Sequence, residues 1–151
     1  MMKKLLLLTG TALAVGCGSQ TKHVGDDEPG PEDVVCEQAP EVIHETVDGS
    51  QPGGIEVVLT AEVITDQTEG CDTDVLVAEL YYKQRTDEVF GTAVSMSTVD
   101  GLAYRGSIPG PAVGSSDMRY YFMVVDSEGA VTIDPPGANT KELKAYSFGV
   151  E

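Results

Sequence analysis

The sequence predicts an all-β fold: a single antiparallel β-sandwich of seven or eight short strands, preceded by an acidic tether. Apolar residues alternate with polar ones at a period of two across residues 41–151. Glycine- and proline-rich turn sequences separate the alternating segments at intervals of about 8–12 residues, a spacing typical of sandwiches and barrels. No segment of this region shows the 3.6-residue period of an amphipathic helix. Residues 41–151 are enough for one domain with one hydrophobic core.

Three segments define the predicted sandwich most clearly. Residues 55–63 carry apolar side chains at every odd position, which indicates a strand with one buried and one solvated face. Residues 76–83 also alternate, and 119–126 carry large apolar side chains on both faces, which favours a central strand. Shorter strands are predicted at 42–47, 90–96, 102–108, 130–133 and 145–150.

Turn sequences explain where these strands end. Pro and Gly occur together at 50–54 and 109–111, and Asp100-Gly101 is a dipeptide that favours a tight turn. Residues 126–129 end in Gly129, which tolerates the positive φ that such turns require. We interpret 126–129 as a turn and not as a binding loop.

The first seventeen residues predict the cellular compartment. Lys3 and Lys4 precede twelve residues without charge, 5–16. A membrane span needs roughly 20 apolar residues, so this run has the length of a signal peptide. Residues 14–17, Ala-Val-Gly-Cys, resemble the lipobox of bacterial lipoproteins. This resemblance implies cleavage after residue 16 and acylation of Cys17; an ordinary secretory signal is the alternative.

Lipid at Cys17 implies an address in the cell envelope. Two or three acyl chains anchor a protein stably, because each buried methylene contributes about 0.8 kcal/mol. Residue 18 is Gly, not Asp. By similarity to the sorting of bacterial lipoproteins, this residue favours the outer membrane. Residues 17–40 are rich in Asp, Glu, Gly and Pro, so we predict a lipidated cysteine followed by a disordered linker.

The charge of the chain excludes one class of partner. The sequence has 25 Asp and Glu residues against nine Lys and Arg. Loss of Lys3 and Lys4 with the signal peptide leaves seven bases against 25 acids, a net charge near −18. Such a surface repels phosphates, so no nucleic-acid partner is expected. The expected partners are the membrane, through the lipid, and a protein of the envelope.

Cys36 and Cys71 remain once Cys17 is assigned to lipid. An even number of cysteines in an oxidising compartment predicts one disulfide. Two free thiols are the alternative, as is a metal site that uses both thiols. The histidines available to such a site are His23 and His44.

Five parts of the predicted strand pattern occur in this order: 80–83, Met96, 104–109, 120–122 and 126–129. Together they resemble bacterial immunoglobulin-like or fibronectin type III-like modules. The resemblance implies a β-sandwich and is nearly silent on function. The chain has no Trp, so the antibody-type core is excluded. In such a sandwich, the entry of the chain and the loop after the second strand lie at the same end, which suits a Cys36–Cys71 bond.

Acidic residues crowd the loop that contains Cys71. Calcium takes six to eight oxygen ligands, and Glu37 would approach this loop if Cys36 pairs with Cys71. The spacing matches no known calcium-loop signature, so a solvated loop is the competing interpretation. The calcium candidates are Asp66, Glu69, Asp72 and Asp74.

A second candidate is an exposed patch formed by Tyr81, Tyr121 and Met123 on one sheet face, where ordinary cross-strand pairs are the simpler interpretation.

No nucleophile, metal-protease or phosphate-loop motif occurs, so no enzyme and no cofactor are expected. We therefore expect a lipid-anchored envelope protein that acts as a non-catalytic binding or structural module. The alternatives are a calcium- or carbohydrate-binding module and an accessory subunit of an envelope complex.

Overall fold

Two β-sheets pack against each other in the computed structural model, which describes Cys36, residues 38–91 and residues 93–151. The described residues contain no α-helix, only two short 3-10 turns at Gly110–Ala112 and Glu142–Lys144. The strands are β1 (Glu41–His44), β2 (Ser50–Gln51), β3 (Val57–Ile64), β4 (Val75–Gln84), β5 (Val94–Ser95), β6 (Ser97–Thr98), β7 (Ala103–Ile108), β8 (Met118–Asp126), β9 (Val131–Asp134) and β10 (Tyr146–Val150).

The smaller sheet has the strand order β1-β3-β7-β6, and the larger has the order β2-β10-β8-β4-β5. Strand β8 is central, as predicted. It pairs with β4 on one side and with both β10 and β9 on the other, where Tyr120 lies opposite Tyr146 and Phe122 opposite Asp134. The prediction of an all-β sandwich is confirmed.

The alternation in the sequence places the core between the sheets. Strand β3 buries every second side chain, from Val57 to Val63, and exposes those between them. Val57, Leu59 and Ala61 share one core cluster with Leu80 of β4 and Phe122 of β8, both fully buried, and Val63 packs in a second cluster with Ala78 and Val124. Burial of each large apolar side chain contributes about 1.5–3 kcal/mol, so this layer supplies the main driving force for folding.

Residues 90–96 do not form the single strand that we expected. The chain pairs with β4 through Val94, passes through Met96, and then pairs with β7 through Ser97. It therefore changes sheets and closes one edge of the sandwich. Gly106 on β7 leaves room for this crossing: a Cβ there would lie 3.0 Å from Cγ of Met96, so the methionine side chain would have to shift by a few tenths of an ångström. An alternation pattern cannot reveal a strand that is divided between two sheets.

One pair of strands departs from the expected antiparallel arrangement. Residues 50–54, predicted as a turn, contain β2, which runs parallel to β10 with Ser50 opposite Gly149. The Glu151 amide donates to the Gln51 carbonyl at 3.1 Å, and the Gly53 amide donates to the Glu151 carbonyl at 3.0 Å. These bonds tie the last strand of the chain to the segment between β1 and β3.

Candidate functional site

The outward side of the larger sheet carries an unusual number of apolar side chains. We call the outward side chains of β4, β8 and β9 the outer face. The strand register arranges them in rows across the sheet. The first row is Val77, Val125 and Val131, the second is Glu79, Met123 and Ile133, the third is Tyr81 and Tyr121, and the fourth is Lys83 and Arg119.

The first two rows are open to solvent, and we call them the open rows. Val77 is 37% exposed and Val131 is 53% exposed, while Met123, Val125 and Ile133 are partly exposed. Five of the six side chains in these rows are apolar. A contiguous exposed apolar patch is typical of an interaction surface, whereas single exposed apolar residues are common and need no explanation.

The third row is an aromatic pair. The rings of Tyr81 and Tyr121 stack with centroids 4.8 Å apart and an angle of 3° between their planes. Phe90 packs edge-on against Tyr121 at 4.7 Å. The Tyr81 hydroxyl donates to Oε2 of Glu79 at 2.9 Å, and this bond, together with burial, raises the pKa of Tyr81. The predicted cross-strand pair is thus present, but Tyr121 is buried and not exposed as we expected.

Two loops cover the third and fourth rows and form a cleft above them. One loop follows β4 and the other joins β9 to β10. Between them is a cavity of about 430 Å³. Lys83 is buried at its base, where its Nζ donates to the Asp87 carbonyl at 2.7 Å and lies 5.4 Å from the centre of the Phe90 ring. The cavity is lined by Lys83, Glu88, Val89, Phe90, Tyr121, Ala138, Asn139 and Thr140.

The smaller sheet gives a direct comparison. Its outward positions on β3 are Val58, Thr60, Glu62 and Ile64, and on β7 they include Arg105 and Ser107. Polar and charged side chains are therefore mixed with apolar ones along these strands. The apolar character of the open rows is not a general property of both sheets.

The acidic loop between β3 and β4 is organised by Asp66. Its Oδ1 accepts hydrogen bonds from the Thr68 hydroxyl at 2.6 Å and the Thr68 amide at 2.9 Å. Its Oδ2 accepts from the Gln38 amide at 3.4 Å. The Thr68 hydroxyl is the main cause that lowers the pKa of Asp66, followed by the Thr68 and Gln38 amides. The ionised carboxylate therefore stabilises the loop above pH ~4, and this contribution is lost as the pH falls further.

The structure does not gather the four calcium candidates into one site. Asp66 is buried and bonded within the loop, while Glu69, Asp72 and Asp74 are exposed. Across the part of the chain that the structure describes, no group of three or more His, Cys, Asp or Glu side chains is arranged to hold a metal ion.

Cys36 and Cys71 form a disulfide in agreement with the expected pairing, with Cα atoms 5.5 Å apart. Cys71 is buried beside Asp66 and Thr73 in the β3–β4 loop. The amide of Gln38, two residues after Cys36, donates a hydrogen bond to the Asp66 carboxylate. The disulfide therefore attaches the segment before β1 to the end of the sandwich where β4 begins.

His44 lies inside an aromatic cluster and has a structural role. Its Nδ1 is 2.7 Å from the Thr60 carbonyl, which accepts only, so Nδ1 carries the proton. Its Nε2 then accepts from the Tyr120 hydroxyl at 2.8 Å. The rings of Tyr120, Phe122 and Tyr146 pack edge-on against the imidazole at 4.7–5.5 Å. These contacts join β1 to the larger sheet.

This cluster predicts a cooperative response to alkaline pH. Burial raises the pKa of Tyr120 to about 12, and burial with a hydrogen bond to Asp134 raises that of Tyr146. Because the folded state holds these protons more tightly, their stabilising contribution is full below pH ~10 and is lost as the pH rises through about 12. We expect phenolate absorbance from both residues to appear together with loss of the β-sheet circular dichroism signal.

The Tyr146→Phe variant is the matched control for this titration. It removes one of the two strongly shifted hydroxyls, so less phenolate absorbance should accompany unfolding. Complete tyrosine ionisation with an intact circular dichroism spectrum would contradict the assignment.

Several predicted features lie outside the described residues. These are the signal peptide at 1–16, Cys17, most of the 17–40 linker, His23 and Glu37. Within the described ranges, no helix is long and apolar enough to cross a membrane. The sequence pattern of β9 contained a signal that we did not use: Val131 and Ile133 alternate with Thr132 and place two more apolar side chains on the outer face.

Comparison with known proteins adds no relative. No protein-family model matches the sequence, and no curated protein matches it with significance. The geometry of the described residues is therefore the basis for a functional proposal.

Proposed function

We propose that this protein is a lipid-anchored, non-catalytic binding module of the bacterial cell envelope. Its binding surface is the outer face of the larger sheet, and its sandwich is an immunoglobulin-like or fibronectin type III-like module. The observation that carries the proposal is the pair of open rows, in which Val77, Met123 and Val131 present apolar side chains to solvent. Contact between water and such a surface is unfavourable, so burial of the surface against a partner lowers the free energy of the complex.

The N-terminal residues support the proposed location of this module at the membrane. Residues 14–17 resemble a lipobox, and the acidic linker that follows has the composition of a flexible spacer. With 18 residues between Cys17 and Cys36, a flexible linker would have a root-mean-square span of roughly 23 Å. A linker of that span would let the sandwich extend beyond the lipid headgroups, with its outer face accessible to proteins.

A cysteine substitution tests the anchor. In cells labelled with an alkyne fatty acid, the wild-type chain is expected to carry the label and to sediment with membranes. The Cys17→Ala variant should lose the label, because it has no thiol at position 17 to carry an acyl chain.

The two remaining cysteines provide the control. A Cys36→Ser/Cys71→Ser variant retains Cys17, so it should remain labelled and membrane-bound. Fatty-acid label on the Cys17→Ala chain, or an unlabelled wild-type chain in the culture medium, would refute the anchor.

A further inference from the structure

The size of the open rows limits what they accommodate. Neighbouring strands are about 4.8 Å apart, and successive outward side chains on one strand are about 7 Å apart. Two rows across three strands therefore cover roughly 200–300 Å² with their side chains. A stable protein dimer buries about 800 Å² on each partner. This footprint therefore suits one secondary-structure element of a partner in a weak or transient contact, and not the wide face that a stable dimer of this chain would need.

Charge also opposes a second copy. Each chain from Cys17 onwards has a net charge near −18, so two copies repel each other. Exposed acids flank the open rows: Asp74 and Glu128 lie at the end where β4 begins, where the Ser127 amide bonds the Asp74 carbonyl at 2.8 Å. Glu79 lies within the second row. The complementary partner is apolar at its centre and basic at its edges.

The backbone amide and carbonyl groups of the partner must form their hydrogen bonds within the partner itself. The open rows present mainly Val, Ile and Met side chains, which neither donate nor accept strong hydrogen bonds. An extended peptide laid across them would bury amide and carbonyl groups without hydrogen-bond partners, which is unfavourable for each group. A helix satisfies these groups within itself, and three turns of helix are about 16 Å long. The three strands of the open rows span about 14 Å including their side chains, so one helix of this length covers them from edge to edge.

We propose that the open rows bind one amphipathic helix of about three to four turns, presented by a partner protein, with Lys or Arg side chains beside its apolar stripe. This inference rests on the proposed binding function of the outer face and names the class of its ligand. The acids at the β4 end orient the helix so that its basic side chains lie nearest Asp74, Glu79 and Glu128. Lys83 and Arg119 are at the opposite end of the outer face.

The test uses the whole chain from residue 17 onwards with Cys17→Ser, which lacks only the acyl chains. The probe is a synthetic peptide of about 14 residues with a Leu stripe flanked by Lys, and an otherwise identical peptide with Glu in place of Lys is the control. We expect the Lys peptide to bind, with amide chemical-shift changes centred on Met123 and Val131. The Glu peptide should not bind, because it is repelled by the chain.

Variants at two equally exposed valines distinguish binding at the open rows from general electrostatic attraction to the acidic chain. Val131 in the open rows and Val58 on the smaller sheet are each 53% exposed. The Met123→Ser/Val131→Ser variant should bind the Lys peptide at least about tenfold more weakly, because two apolar contacts are lost. The Val58→Ser variant should bind as the wild type does. Both variants leave the charge unchanged.

Three results would overturn the helix proposal: no binding of the Lys peptide, equal binding by both variants, or a dimer of the free chain formed through the open rows. A second measurement keeps the proposed function separate. A benzophenone side chain at position 131 in cells should give a discrete crosslinked species that the same side chain at position 58 does not give. If that species forms while the peptide result is negative, only the helix assignment fails; if neither is seen, both fail.

Discussion

Loss of the Cys36–Cys71 bond should lower the free energy of unfolding by about 4 kcal/mol, because the 35-residue separation of the two cysteines restricts the unfolded chain. For a domain of this size, the expected fall in melting temperature is about 15 °C. The bond also holds Gln38 beside Asp66, so its loss weakens the hydrogen bonds of the β3–β4 loop. The measurement is thermal and chemical unfolding of the Cys36→Ser/Cys71→Ser variant.

A reductant separates the contribution of the disulfide bond from the effect of replacing the two cysteine side chains by serine. It should destabilise the wild-type chain nearly as much as the double substitution does, and it should leave the double variant unchanged. A wild-type chain with two titratable thiols before reduction, or a double variant as stable as the wild type, would show that the bond does not form in the native protein.

Most of the fold was predictable because β-sandwich strands reveal their buried face through a period of two. Strand β3 is the clearest case, since all its odd positions are buried and its even positions exposed. The features that escaped prediction depend on distant partners. β2 has two residues, and its parallel pairing to β10 joins segments about 100 residues apart. The sheet change at Met96 packs its side chain against Gly106, ten residues further along the chain.

The candidate site was only partly predictable for a similar reason. Alternation placed Tyr81, Tyr121 and Met123 on one face, as the register shows. It did not show that Phe90 covers Tyr121, because that contact comes from a loop without periodicity. Nor did it show that Asp66 is held by Thr68 and Gln38. Acidic residues adjacent in sequence indicated a cation site, whereas local hydrogen bonding directs one carboxylate into its own loop.

The second large effect is expected at the centre of the larger sheet. Phe122 is fully buried on β8, and its ring lies 4.7 Å from the His44 ring. The Phe122→Ala variant should lose about 3–5 kcal/mol of unfolding free energy, because it loses the burial of the ring and leaves a cavity between the sheets. Denaturant unfolding, fitted with the slope as well as the midpoint, gives this difference.

Met123 is the matched control because it is the next residue on the same strand and its side chain points to the opposite face. Met123→Ala should change the unfolding free energy by less than about 1 kcal/mol, since its partly exposed side chain does not enter the core. The contrast between these neighbours tests which side of β8 faces the other sheet. Equal losses from both variants would mean that the outer face is packed against another part of the protein, and the open rows would then be unavailable to a partner.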